Sequence, residues 1–488
     1  MKHQEFFTSR WGLILATLGI AVGTGNIWRF SRIVAQNGGG SFLIPWVIFL
    51  LIWSLPLIIS EFALGKSTRK GPIGAITLTA GSKFGWLGAF VALVSTAIMF
   101  YYSVVTGWCF YYLTSAVNGN LFITENHFEF WNQFSESGLT ILFHFIAISI
   151  SAVVIYIGVV KGIEKVNKFL VSTLVIILLL LLIRALTLPN AIDGLNYFFT
   201  PKLEYLLDYK VWLAALTQNA WDTGAGWGLI LAYAVYMRKK EDIPLNAALI
   251  GFGNNSISLI AGIMIFATVF SLSSVDAMNQ ITQSGPANTG LTFIYLPLLF
   301  SKISDSLFLN STLAVLFFTA LSFAALSSLI SLIELSTRSL VDFGMSKKKS
   351  ILIITVVGFL LGIPSALNLN IFTNQDWVWG VGLIISGAII AYSIKTYGVN
   401  KFREEIINSD DSDVKIGKWY NFVISYLIPI QAVILLGWWL ISSISWDAEW
   451  WNPFRPENLG TAIFQWSIVL IILYLLNKKI VELIKKNR

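Results

Sequence analysis

Five ionisable residues stand inside apolar stretches of this sequence: Arg29, Glu61, Asp222, Glu334 and Asp376. A charge at membrane depth costs roughly 3 kcal/mol or more unless paired, so each is a candidate working part. Two of them adjoin glycine-rich interruptions. Arg29 follows AVGTGN (Ala21 to Asn26), and Asp222 opens DTGAGWG (Asp222 to Gly228). A helix broken at depth exposes backbone groups of both signs. Half-helix N-termini present N–H groups that suit a carboxylate. Unwound carbonyls present oxygens that suit a dehydrated Na⁺. Irregular backbone is tolerated at that depth only where it lines a site. Ala21, Gly23, Thr24, Gly25 and the amide oxygen of Asn26 therefore read as a site for a carboxylate beside a small cation. Two later stretches offer further oxygens: Asn254, Asn255, Ser256 and Ser258 in FGNNSIS, and Ser327 and Ser328 in LSFAALSSLIS. Plainer readings stay open. Arg29 and Asp376 could reach water at helix ends, Glu61 and Glu334 could be protonated and hydrogen-bonded, and the serines could bond their own backbone.

The elements that must position these groups are membrane helices. Of 488 residues, 56% are hydrophobic and 12% charged, and mean hydropathy is +0.72. At about 20 apolar residues per crossing, twelve spans are expected at 11–37, 42–65, 86–118, 138–158, 163–187, 210–237, 243–272, 307–338, 350–367, 375–395, 417–441 and 459–477. The 19 tryptophans fit a protein with lipid–water boundaries. Of 33 Lys and Arg residues, all but seven (Arg29, Arg32, Arg184, Lys202, Lys210, Lys302 and Arg455) fall on one side of these spans. The positive-inside rule then places both termini in the cytoplasm. No soluble domain carries the basic excess, so a nucleic-acid surface is not expected. Cys109 is the single cysteine, so no intrachain disulfide can form. No small-residue cleavage site precedes the first glycine break, so a cleavable leader is not expected. His3, His127 and His144 are far apart, and no nucleophile–base pair or metal spacing points to an enzyme.

The gap 119–137 lacks Lys and Arg and suits an outer loop, 273–304 suits a re-entrant or lid-like hairpin, and 401–418 suits a solvated link. The two breaks lie five spans apart. An odd separation means that the second unit inserts upside down relative to the first, and paired broken helices mark a midplane binding site. Close packing at small residues is the competing explanation.

The sequence resembles the neurotransmitter:sodium symporters, especially the bacterial amino-acid branch typified by the leucine transporter. The resemblance rests on WGLILATLGIAVGTGNIWRF, NGGGSFLIPW, EFALG, KGIEK, GLNYFFTP and WLAALTQNAWDTGAGWG, in order over nearly the whole chain. It implies an all-α membrane fold of about twelve helices in one transporter domain, 1–488. Inverted repeats over 11–187 and 210–398 would be followed by helices 417–441 and 459–477. It implies import of an amino acid by alternating access, driven by two Na⁺ ions, in a cell membrane of the bacterial inner-membrane kind. One ion would use Ala21, Asn26, Asp222, Asn254 and the substrate's own carboxylate, which couples ion to substrate. The other would use the carbonyls of Gly19, Val22 and Ala324 with Ser327 and Ser328. Tyr102 and the Gly23–Gly25 amides would hold the carboxylate. Arg29 and Asp376 would form an outer gate above Trp221 and Tyr102, Tyr236 and Asp342 an inner one, and Glu61 would bond the unwound part of span 6. Gly23, where monoamine carriers of the family have Asp, favours a substrate that brings its own carboxylate. A membrane sensor and a Na⁺-independent permease of the same fold are the alternatives.

Four departures from the family pattern stand out. The chloride-binding positions read Trp46, Gln218, Asp222 and Ser258, so the Asp222 carboxylate is expected to replace chloride, with proton countertransport as a corollary. The side-chain pocket (Ile20, Ile98, Gly224, Trp227 and Leu332) is wholly apolar, which favours a hydrophobic or aromatic amino acid. The inner-gate arginine is absent, with Gln4 in its place and Lys2 or Arg10 as substitutes. Span 5 has Ser172 where a helix-unwinding proline is usual, ten residues after Gly162.

Overall fold

A computed structural model of the chain describes residues 5–124, 126–272, 277–282, 288–409 and 412–487. Among the described residues, nine helices are long and apolar enough to cross a membrane. Two bent pairs raise the number to eleven: Arg10–Ala21 with Gly25–Gln36 at 59°, and Leu459–Leu475 with Asn477–Lys486 at 55°. The remaining expected span is split into Tyr209–Asp222 and Leu229–Ala234. Each half is too short to cross alone; together they make the twelfth.

Both breaks follow from local sequence. Arg10–Ala21 ends where Val22 turns to ψ 91° and the chain enters Gly23. In the second break Gly224, Gly226 and Gly228 take φ of +69°, +87° and +78°. That left-handed region is open to glycine at no steric cost. A Cβ on Gly226 would also stand 2.8 Å from Gly387 Cα, so the break is wedged against the helix Leu369–Tyr397.

The broken helices sit at the centre, against Gly40–Thr68, Val159–Leu186, Ile243–Leu272 and Leu307–Asp342. Trp46, Trp53 and Trp108 are buried there. Peripheral helices turn apolar side chains outward, among them Val153, Leu180, Leu360, Val433 and Ile471. A hydrocarbon solvent explains that inversion of the usual pattern.

The long gaps are more structured than their composition suggests. Asn120–Ile123 and His127–Ser135 are helical. Within 273–304 the described parts form Ala277–Thr282 and the stretch Leu291–Phe300. Phe293 stacks on Trp131 at 5.2 Å, which ties this stretch down onto the bundle. The 401–418 link is partly helical, with Arg403 buried. Span 5, which lacks the proline, opens on a π-turn at Val159–Glu164.

Candidate binding site

The two breaks face one cavity of about 570 Å³, lined from Ser328 and Leu332 at its floor to Arg29, Asp376 and Glu457 at its mouth. Tyr102 stands beside the first break. Its hydroxyl lies 3.4 Å from the Thr24 N–H and 3.3 Å from Thr24 Oγ1. A Cβ on Gly23 would come within 3.1 Å of both the Tyr102 hydroxyl and Ser328 Oγ. An Asp at that position would crowd both hydroxyls. Gly25 has open space where its Cβ would be, so backbone and the tyrosine hydroxyl share a small polar corner. Around it, Ile20, Ile98, Gly224, Trp227 and Leu332 all line the cavity. The Trp227 indole N–H is satisfied by the Ala220 carbonyl at 2.9 Å, which leaves its ring as apolar wall.

Beneath the corner, oxygens converge. Asn26 Oδ1 accepts from the Gly23 N–H at 2.8 Å, and its Nδ2 donates to Asn254 Oδ1 at 2.7 Å and Ser258 Oγ at 2.8 Å. That same Asn254 Oδ1 lies 3.0 Å from the Asp222 carbonyl and 3.1 Å from the Ala21 carbonyl. Three acceptors then face one another. Rotating the Asn254 amide would satisfy both carbonyls but set two amide nitrogens 2.7 Å apart. Rotating Asn26 as well moves the conflict to the Gly23 N–H. A small cation among the oxygens removes it, so these residues fit Na⁺. The Asp222 side chain is adjacent: Oδ2 accepts from Gln218 Nε2 at 3.1 Å, while Oδ1 is buried without a hydrogen-bond partner. Trp46 is buried against Phe30 and gives its carbonyl to Asn219; no hydrogen bond among the described residues joins it to Gln218, Asp222 or Ser258.

A second oxygen group lies deeper. Ser328 Oγ donates to the Gly19 and Ile20 carbonyls, each at 3.3 Å, and Ser327 Oγ to the Ala324 carbonyl at 3.0 Å. These contacts join the last turn before the first break, which ends in Val22, to the middle of Leu307–Asp342.

Glu61 is fully buried and accepts from the Gly226 N–H at 2.7 Å and the Leu231 N–H at 3.1 Å. It thus satisfies donors that the second break orphans. At the cavity mouth Arg29 lies 4.5 Å over the Trp221 ring. Arg29 and Asp376 both line the mouth, yet no direct ion pair joins them among the described residues. The wall opposite is one that sequence reasoning missed. Trp377, Trp438, Trp439 and Trp446 form it, with Trp439 edge-on to Trp446 at 5.6 Å. The signal was GWW at 437–439 and the SWDAEWW loop, which composition alone assigned to lipid. Glu457 joins the same rim, its carboxyl pushed up by burial and then by the Asp376 carboxylate.

The opposite, basic end is closed. The Phe7 N–H donates to the Tyr236 carbonyl at 3.1 Å, Arg238 Nη1 to the Thr8 carbonyl at 2.9 Å, and Thr8 N–H and Oγ1 to Glu164 at 2.8 and 2.6 Å. Tyr236 donates to Glu334, so Glu334 belongs to the closed end. Of the expected substitute cations, only Arg10 can be placed. Arg10 pairs with Glu241 at 3.3 Å, and Lys2 and Gln4 lie outside the described residues. Asp342 instead pairs with Arg338 at 3.2 Å, one turn back on its own helix, and accepts from the Gly71 N–H at 2.6 Å. An i, i+4 pair escapes a search for partners distant in sequence.

A bundle of membrane helices with two broken members around one deep cavity is the architecture of a secondary transporter. The comparisons agree. The profile of the sodium:neurotransmitter symporter family matches residues 4–134 and 122–482. An uncharacterized sodium-dependent transporter of Methanocaldococcus jannaschii is 32% identical over 459 residues, covering 89% of this chain and 90% of that one. The sodium-dependent serotonin transporter of Drosophila melanogaster is 26% identical over 98% of this chain and 83% of its own. The crystal structure of MhsT in complex with L-phenylalanine superposes with a TM-score of 0.78 at 32% identity, over 88% of this chain and 98% of MhsT. The chain belongs to the sodium:neurotransmitter symporter family. It is a membrane transporter of a sodium-dependent family, and not an enzyme.

Proposed function

We propose that the chain imports a hydrophobic or aromatic amino acid by alternating access, coupled to two Na⁺ ions and independent of chloride. One observation carries the reading: the polar corner of Tyr102, Thr24 and the Gly23–Gly25 backbone adjoins the converging oxygens of Ala21, Asp222 and Asn254. A substrate carboxylate in that corner would complete the first ion's shell, so each ligand would raise the other's affinity equally. The cavity's apolar wall, and the absence of a Cβ at Gly23, disfavour a charged side chain or a monoamine. The second ion would sit with Gly19, Val22, Ala324, Ser327 and Ser328. Residues 11–187 and 210–398 would act as inverted repeats, with Arg29 and Asp376 gating the open end and Tyr236 and Asp342 the closed one. The basic end would face the cytoplasm of a bacterial inner membrane. Asp222, with one orphan oxygen beside the first ion, would supply the charge that chloride gives elsewhere and carry a proton back when the site empties.

The test is a melting-temperature screen of the purified protein against twenty amino acids and several amines, each in Na⁺ and in K⁺. Selective stabilisation by apolar amino acids in Na⁺ alone is the expected result. Equal stabilisation in both salts would remove Na⁺ coupling. Tyr102→Phe should weaken binding of the amino acid so found by roughly 1.5–3 kcal/mol, the worth of one hydrogen bond to a charged group. Unchanged affinity by calorimetry would put the carboxylate elsewhere.

A further inference from the structure

Asn167 is fully buried in the helix Val159–Leu186, near its basic end. Neither its Oδ1 nor its Nδ2 meets a hydrogen-bond partner. A buried amide without partners destabilises a fold, and an apolar residue of similar size would serve packing better. Its surroundings explain why it stands there. A Cβ at Gly19 would lie 3.2 Å from Asn167 Oδ1 and 3.1 Å from Ser327 Cβ. The amide oxygen and Ser327 thus meet at the same spot beside Gly19, where the two elements of the second oxygen group approach each other. The Tyr233 hydroxyl, 3.0 Å from Ser331 Oγ, is near enough to steady the amide without satisfying its oxygen.

We propose that the Asn167 amide oxygen is a further ligand of the second Na⁺, on the side by which the ion leaves toward the closed end. The proposal rests on reading Gly19, Val22, Ala324, Ser327 and Ser328 as a Na⁺ site. It accounts for an otherwise costly polar group and for glycine at position 19, where any side chain would press on the amide.

The experiment measures melting temperature against Na⁺ concentration, with K⁺ holding ionic strength constant and no amino acid present. Full-length wild type, Asn167→Leu, Asn167→Asp and Ser328→Ala are compared. In K⁺ alone, Asn167→Leu should match or exceed wild type, because it removes an unpartnered amide. Its half-maximal Na⁺ concentration should rise about tenfold, as for loss of one ligand to a charge. Asn167→Asp should lower that concentration severalfold. A midpoint equal to wild type in Asn167→Leu overturns the proposal; should that variant fail to fold, an unchanged midpoint in Asn167→Asp does so. Ser328→Ala separates the two failures: if it too leaves the midpoint unmoved, or if wild type ignores Na⁺, the ion site itself falls.

Discussion

Asp222→Ser should abolish uptake in chloride-free medium and restore it when chloride is added, a change of tenfold or more. The Asp222 backbone carbonyl lies 3.0 Å from the Asn254 amide and the carboxylate of the same residue has Oδ1 unpartnered, so its charge is free to act on a cation there. Opposite charges about 5 Å apart, at an effective dielectric near 20, attract by roughly 3 kcal/mol. That is about a hundredfold in ion affinity. Serine removes the charge and leaves a hydroxyl and space, with Gln218 Nε2 released from its present acceptor. Uptake of radiolabelled amino acid into proteoliposomes, in gluconate and in chloride, reads the outcome. The same variant should flatten the pH dependence of uptake if Asp222 returns a proton. Chloride-free uptake at the wild-type rate, with an unchanged pH profile, would dismiss both roles.

Glu61→Leu should have the largest effect on stability. Two buried N–H groups, those of Gly226 and Leu231, would lose their acceptor. Each orphaned donor costs about 1–3 kcal/mol, and no water replaces the partner at membrane depth. A loss of roughly 2–6 kcal/mol is expected, enough to empty the folded population of a marginal protein. Glu61→Gln keeps one acceptor oxygen but turns an NH₂ toward the other donor, so it should fold and bind substrate poorly. Fluorescence-detected melting of both variants distinguishes them. If Leu proves as stable as Gln, Glu61 is not what holds the second break open.

Much of this arrangement was legible because an apolar background makes exceptions conspicuous. Asp222 and the glycines of DTGAGWG stand out in a stretch where charge and helix breaks are costly, and the structure sets them beside the AVGTGN break. Glu61 was equally visible. Arg338 was not, because it stands among the many charges of the basic helix ends, and its pairing with Asp342 is local. The tryptophan wall was hidden for a different reason: an indole suits a lipid boundary and a vestibule alike, and only tertiary packing distinguishes them. Asn167 escaped an inventory that weighed ionisable groups, although a lone amide in an apolar helix is nearly as anomalous.

The closed end carries one more implication. In a lock made of ions on separate segments, opening must pull opposite charges apart, and dissolved salt would lower that barrier. Here Arg338 and Asp342 ride on one helix, so they travel together whichever way neighbouring segments tilt. What must yield between segments is mostly neutral or backbone-mediated: the Phe7 and Arg238 contacts to carbonyls, the Thr8 bonds to Glu164 and the Gly71 N–H on Asp342, with one half-exposed ion pair, Arg10 to Glu241. The return of the empty carrier should then depend only weakly on ionic strength, through the single Arg10–Glu241 pair, and be set mainly by peeling a short peptide strap off the bundle.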